Sequence, residues 1–110
     1  MTSSRPSTAD KRHAFRELHE SGCFVIPNPW NIGSARYLQE LGYKALASTS
    51  SGFAHAAGRA DGQVPLELHL DHLRELAAET DIPVNADFEG GYADDPEGVA
   101  KNVLRCIETG

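Results

Sequence analysis

Three times along this chain a short apolar run gives way to a longer stretch whose apolar residues recur at helical spacing. No other feature narrows the fold as much. The runs are Cys23 to Ile26, Tyr43 to Thr49 and Ile82 to Asp87, each read as a strand. A helix precedes them: Ser7 with Asp10 forms a variant capping box, Ala14, Phe15 and Leu18 begin an apolar face, and Gly22 can end it. Asn31 is placed to cap a second helix, with Ser34, Leu38 and Leu41 on one face, Ala35 and Tyr37 flanking, and Gly42 as its stop. Pro65 starts a third, in which Leu66, Leu70, Leu73 and Ala77 recur at helical spacing. Asp95 caps a fourth, with Pro96 in its first turn and Val99, Val103, Cys106 and Ile107 as its stripe. Strands alternating with helices imply a parallel sheet with right-handed crossovers.

The connections between these elements are uneven. Those from helix to strand, Gly42-Tyr43 and Thr80-Asp81, are short. Two of the three from strand to helix are long, above all Ser50 to Val64, rich in Gly, Ala and Ser. Elaborated loops on one face mark a barrel whose site lies at the carboxyl ends of its strands. The expected fold is therefore α/β, a parallel (β/α) barrel of the TIM type, with only an N-terminal helix and about three βα units in this chain. Residues 1–6 read as a disordered lead-in, and 7–110 as the N-terminal part of the barrel domain. A whole barrel needs ~250 residues, and three parallel strands alone leave two open edges. The chain of 110 residues thus reads as a fragment of a longer protein.

Sixteen acidic against ten basic residues, net −6, argue against a nucleic-acid binder, which would carry a basic face. The balance suits a protein that handles small molecules. Met1 to His13 has no apolar run of signal-peptide type, and no stretch approaches membrane-spanning length, so a cytoplasmic protein is expected. Cys23 and Cys106 sit in apolar segments without a CxxC pattern and read as buried, reduced thiols.

The residues with most chemistry lie at Pro83-Val84-Asn85-Ala86-Asp87-Phe88-Glu89-Gly90-Gly91-Tyr92. Alternation along a strand puts Asn85 and Asp87 on one side, with Asp87 at the carboxyl end. Oxygen donors at a strand end, beside a glycine turn, suit Mg²⁺, and Glu89 joins Asn85 and Asp87 as a candidate ligand. The plainer alternative is a set of ordinary loop acids. Ser48-Thr49-Ser50-Ser51-Gly52 ends the preceding strand; its hydroxyls and N–H groups suit a carboxylate or phosphonate, or else form a local turn. Asp61, in Gly58-Arg59-Ala60-Asp61-Gly62, is a turn residue on the expected ligand face. His55 in the same loop has no assigned role. His69 and His72 stand at a chelating spacing, but their place beside the Leu66/Leu73 stripe reads as packing.

Taken in order, these segments resemble the isocitrate lyase/phosphoenolpyruvate mutase superfamily. The matching stretches are Pro27-Asn28-Pro29-Trp30-Asn31-Ile32-Gly33-Ser34-Ala35-Arg36, Leu41 to Gly52, Gly58-Arg59-Ala60-Asp61, and Pro83 to Tyr92. The likeness runs from about Phe15 to the end. It implies a barrel enzyme, homo-oligomeric when full length, that uses Mg²⁺ (or Mn²⁺) on α-keto or hydroxy acids through an enolate-like species. Neither a nucleic acid nor a membrane is an expected partner. By that resemblance Asp87 matches the second acid of an Asp-x-Asp metal motif, and Asn85 stands where its first acid is expected. Glu89 is placed to compensate. Thr49, Ser50 and Ser51 match the turn that holds a substrate carboxylate, and Asp61 matches an acid on a gating loop. The implied activity is carbon–carbon lyase chemistry on a 2-methylisocitrate-like acid. The alternatives are a phosphonopyruvate-type mutase or hydrolase, another metal-dependent aldolase on the same barrel, and a truncated chain without activity.

Overall fold

The computed structural model describes residues 4–110. Of the lead-in expected over residues 1–6, positions 1–3 lie outside the described residues. In chain order the elements are α1 (Thr8–Leu18), α2 (Ile32–Glu40), β1 (Leu46–Ala47), α3 (Ser50–Ala56), α4 (Leu66–Glu79), β2 (Val84–Asn85) and α5 (Pro96–Ile107). β1 and β2 pair in parallel, Leu46 opposite Val84 and Ala47 opposite Asn85. The α/β class and the parallel pairing follow the sequence expectation; two elements do not.

The first expected strand, Cys23 to Ile26, is extended chain without regular pairing. It still lies along β1, because the Ala47 N–H donates to the Pro27 carbonyl at 3.0 Å. Pro27 and Pro29 have no N–H to give back. The Asn28 amide does part of that work, donating to the Ala47 carbonyl at 3.3 Å. A side chain thus replaces a rung of the ladder. Cys23, expected buried, is exposed, and Cys106 is half-buried. The second departure is α3, a helix within the connection read as irregular over Ser50 to Val64.

The helix caps follow from local chemistry. The Ser7 hydroxyl accepts from Asp10 N while the Asp10 carboxylate accepts from Ser7 N, a reciprocal box that satisfies two orphan donors. Asn31 and Ser34 do the same for α2. Asp95 accepts from Gly98 N at 3.1 Å with Pro96 in the first turn of α5. Pro65 itself stands one position earlier than expected, as the residue that precedes α4.

The core gathers Ala35 of α2, Leu46 of β1 and Leu76 of α4, with Ile32, Leu38, Ile82 and Val84 packed against it. α4 carries most of the inward surface, burying His69, Leu70, His72, Leu73, Leu76 and Ala77. Its carboxyl end is tied down from the N-terminal segment. Lys11 Nζ donates to the Ala77 and Thr80 carbonyls at 2.6 and 2.7 Å, and Arg5 Nε donates to Asp81 at 2.6 Å. Cations there complement the negative end of the helix dipole. The opposite pattern holds for α5, which has no buried residue and leaves Val103, Leu104 and Ile107 exposed. No helix among the described residues is long and apolar enough to cross a membrane.

Candidate active site

Parallel pairing brings the carboxyl ends of β1 and β2 side by side, and the candidate residues follow directly from each. β1 runs into Ser48, which is buried, and then Thr49 and Ser50; β2 runs into Ala86 and Asp87. The two ends are stitched together. Asp87 N donates to Ser48 Oγ at 2.9 Å, and Ser50 N and Oγ both donate to Asp87 Oδ2, at 3.0 and 2.9 Å. The other oxygen, Oδ1, accepts from Glu89 N at 3.3 Å. Burial raises the Asp87 carboxyl, but these hydrogen bonds and the nearby His69 outweigh it and hold the group below its ordinary value. Asp87 is an anchored carboxylate.

The serine-rich turn is therefore more committed than its sequence suggests. Thr49 is the N-cap of α3, its hydroxyl accepting from Gly52 N at 3.2 Å. Ser50 is engaged by Asp87. Ser51 is exposed, and its hydroxyl has no partner among the described residues. Gly52 sits beneath the Trp30 indole, where a Cβ would come within 2.3 Å of the ring. Asp61 is exposed in its turn, with no hydrogen bond or ion pair among the described residues, and nothing ties it to Asp87.

Beyond Asp87 the chain makes a tight turn in which Glu89 and Tyr92 both adopt left-handed backbone, φ 54° and 58°. The Glu89 side chain points back toward α4, its Oε2 4.0 Å from His69 Nδ1. The Tyr92 hydroxyl lies 2.6 Å from the same nitrogen. Burial and the neighbouring Glu89 and Asp87 carboxylates push the Tyr92 phenol well above its ordinary value, so it keeps its proton. Burial lowers His69, against the opposing pull of Glu89 and Asp87. His72, stacked on Phe53 with ring centroids 3.8 Å apart, is pushed down to about 4 by burial and by His69. Both histidines are packing residues, as their spacing beside the leucine stripe implied. The link from His69 to Tyr92 and Glu89 is absent from the sequence reading; the only trace of it is that His69 falls on the inward face of α4.

The donor set fits a hard divalent cation, in part. Asp87 has one carboxylate oxygen with spare acceptor capacity, Asn85 is exposed at the end of β2 with its amide unpaired, and Glu89 is the third oxygen donor nearby. Among the described residues no three His, Cys, Asp or Glu side chains converge as a closed metal site. Such a cation would be held by few protein oxygens and completed by water or substrate, as Mg²⁺ commonly is.

Comparison with known proteins bears on family and fold. The family model described as phosphoenolpyruvate phosphomutase matches residues 15–110. An uncharacterized protein of Mycobacterium tuberculosis is 34% identical over 99 residues, which are 88% of this chain and 38% of that protein. Among solved structures, a presumed lyase/mutase of Burkholderia cenocepacia J2315 superposes with a TM-score of 0.86 at 44% identity, over 91% of this chain and 37% of its own. A 2,3-dimethylmalate lyase of the PEP mutase/isocitrate lyase superfamily superposes at 0.77 and 27% identity, over 90% and 35%. A phosphonopyruvate hydrolase in complex with oxalate and Mg²⁺ superposes at 0.85 and 20% identity, over 91% and 36%, a likeness of fold alone. The chain spans well under half the length of each.

Proposed function

The chain belongs to the phosphoenolpyruvate phosphomutase family, and on that premise we propose that the full-length protein is a (β/α)-barrel, divalent-metal-dependent carbon–carbon lyase. Its substrate class is the small 2-methylisocitrate-like acid, cleaved or formed through an enolate. The observation that supports this most is the Asp87 carboxylate, held ionised at the joined carboxyl ends of two parallel strands by Ser50. The likeness to a 2,3-dimethylmalate lyase supports the lyase branch. The family description itself favours the second reading, a phosphonopyruvate-type mutase or hydrolase.

Asp87, with Asn85 and Glu89, would hold the cation, whose charge lowers the energy of an oxyanion developing on the substrate. Asn85 offers an oxygen without charge, so the hold is weaker than a second carboxylate would give. Ser50 fixes the orientation of Asp87 and keeps it deprotonated. Ser51, with a free hydroxyl beside the first turn of α3, is available to a substrate carboxylate. Thr49 supports that turn as its cap. Asp61, exposed on its loop, is free to close over the ligand.

The test is titration of full-length protein with Mn²⁺ and with oxalate in its presence. Asp87→Ala should weaken metal binding by at least ~100-fold, the loss expected for a principal charged ligand. Wild-type affinity in that variant would remove the assignment. Assay of the same protein for C–C cleavage and for P–C cleavage separates the lyase from the mutase or hydrolase.

A further inference from the structure

We propose that Ser48 is a positioning residue, whose buried hydroxyl holds the Asp87 main chain so that the carboxylate meets Ser50. The inference rests on the reading of Asp87 as the working carboxylate of the site. The ladder between β1 and β2 shows why a hydroxyl is needed. Leu46 N donates to the Pro83 carbonyl at 2.9 Å and Ser48 N to the Asn85 carbonyl at 2.8 Å, while Ala47 N turns the other way, to Pro27. In an evenly spaced parallel ladder the next donor, Asp87 N, would go to the Ser48 carbonyl. It goes to the Ser48 side chain instead, 2.9 Å from Oγ. The hydroxyl stands in for the last rung.

That exchange lets β1 leave the sheet without orphaning a donor on β2. Directly after Ser48, Thr49 caps α3, its hydroxyl accepting from Gly52 N at 3.2 Å. Ser50, the first residue of that helix, then reaches back with its N–H and hydroxyl to Asp87 Oδ2, at 3.0 and 2.9 Å. Asp87 is thus gripped twice by residues two apart in the chain, at its main chain by Ser48 and at its carboxylate by Ser50. The settings of the two ends differ. Asp87 is exposed, whereas Ser48 is 3% exposed, so the surrounding packing fixes where its oxygen lies. An alanine there offers no acceptor. The Asp87 N–H could then pair only by drawing the strand ends together, and that movement would carry the carboxylate off Ser50.

The experiment is amide NMR on the metal-free, full-length protein: wild type, Ser48→Ala and Ser48→Thr, with the fold verified by circular dichroism. In the wild type the Asp87 N–H should exchange slowly, although it lies beyond the last paired residue of β2. Exchange at the rate of an open-loop amide would overturn the proposal, whether or not the alanine variant folds. Ser48→Ala should speed that exchange by at least about tenfold and move the Ser50 amide proton upfield as its bond to Oδ2 slackens. Ser48→Thr keeps a hydroxyl on the same carbon and should restore both. A Ser50 signal unmoved in Ser48→Ala would reduce Ser48 to a packing residue. Mn²⁺ titration of the same proteins should show a loss of about tenfold in Ser48→Ala, recovered in Ser48→Thr. Failure of the wild type to bind Mn²⁺ would end the metal reading, while the Ser50 signal would still decide for or against Ser48.

Discussion

Ser50 directs both its backbone N–H and its hydroxyl at one oxygen of Asp87, and this accounts for a carboxyl lowered although partial desolvation opposes it. Ser50→Ala removes the hydroxyl bond, so the Asp87 pKa should rise toward its ordinary value. The acid limb of metal binding then moves to higher pH. Carbon-13 shifts of the Asp87 carboxyl measure this, and an unmoved titration would show that the hydroxyl contributes nothing. His72 carries a prediction of the opposite kind. Its folded pKa is about 4 against an ordinary value of 6.5, so below about pH 6.5 the unfolded chain takes up a proton that the folded chain refuses. Stability is therefore full above that range and falls as pH drops toward 4, by about 3 kcal/mol at the lower end. Urea midpoints across that window should show the fall, and His72→Phe, which keeps the stack on Phe53, should flatten it. An equally steep profile in the variant would assign the loss to other groups. Asp87 and Ser50 stand out in the sequence as separate polar strand ends. Their pairing does not, since it depends on the register that sets Ala47 opposite Asn85.

At the scale of elements, what the sequence makes legible is whatever local chemistry decides. Ser7 with Asp10, Asn31, and Asp95 with Pro96 mark three helix starts because capping is settled within four residues. α3 escapes the same reading: Ser50–Ala56 has small residues, a central glycine and no apolar stripe. Thr49, three residues before Gly52, is the one local signal for it. The strand that fails to form near Pro27 is legible in hindsight from its two prolines, but the Asn28 substitute for a missing rung is a tertiary contact. Gly52 tests the α3 packing. Gly52→Ala would drive a methyl into the Trp30 ring and into Thr49, at 2.3 and 2.7 Å. Trp30 is the sole tryptophan and is already 46% exposed, so shifting it off the Gly52 backbone should alter the intensity of its emission, and an unchanged spectrum would show that the indole is not seated there. Gly91→Ala meets two obstacles, φ 82° and Val99 at 2.8 Å. It should cost about 2 kcal/mol or more in thermal or urea unfolding.

At the scale of the whole molecule, the apolar surface is unevenly covered. Among the described residues β2 pairs only with β1 in the sheet. Beside it runs a groove of about 440 Å³ lined by Phe15, Leu73, Val84, Phe88, Val103 and Ile107 among others. α5, whose apolar residues lie on one side, contributes Val103 and Ile107 to that groove, both at least 40% exposed. An unpaired strand edge beside an exposed apolar strip favours association with another polypeptide surface. The 110-residue chain by itself should therefore bind an apolar dye and sediment as concentration-dependent species. Val103→Lys with Ile107→Lys should reduce both effects, because the charges oppose burial of the strip without touching the core around Leu46 and Leu76. A single sharp monomer boundary with no dye uptake would mean that the groove closes over itself in solution, and the open edge of β2 would no longer explain how this half-covered sheet is satisfied.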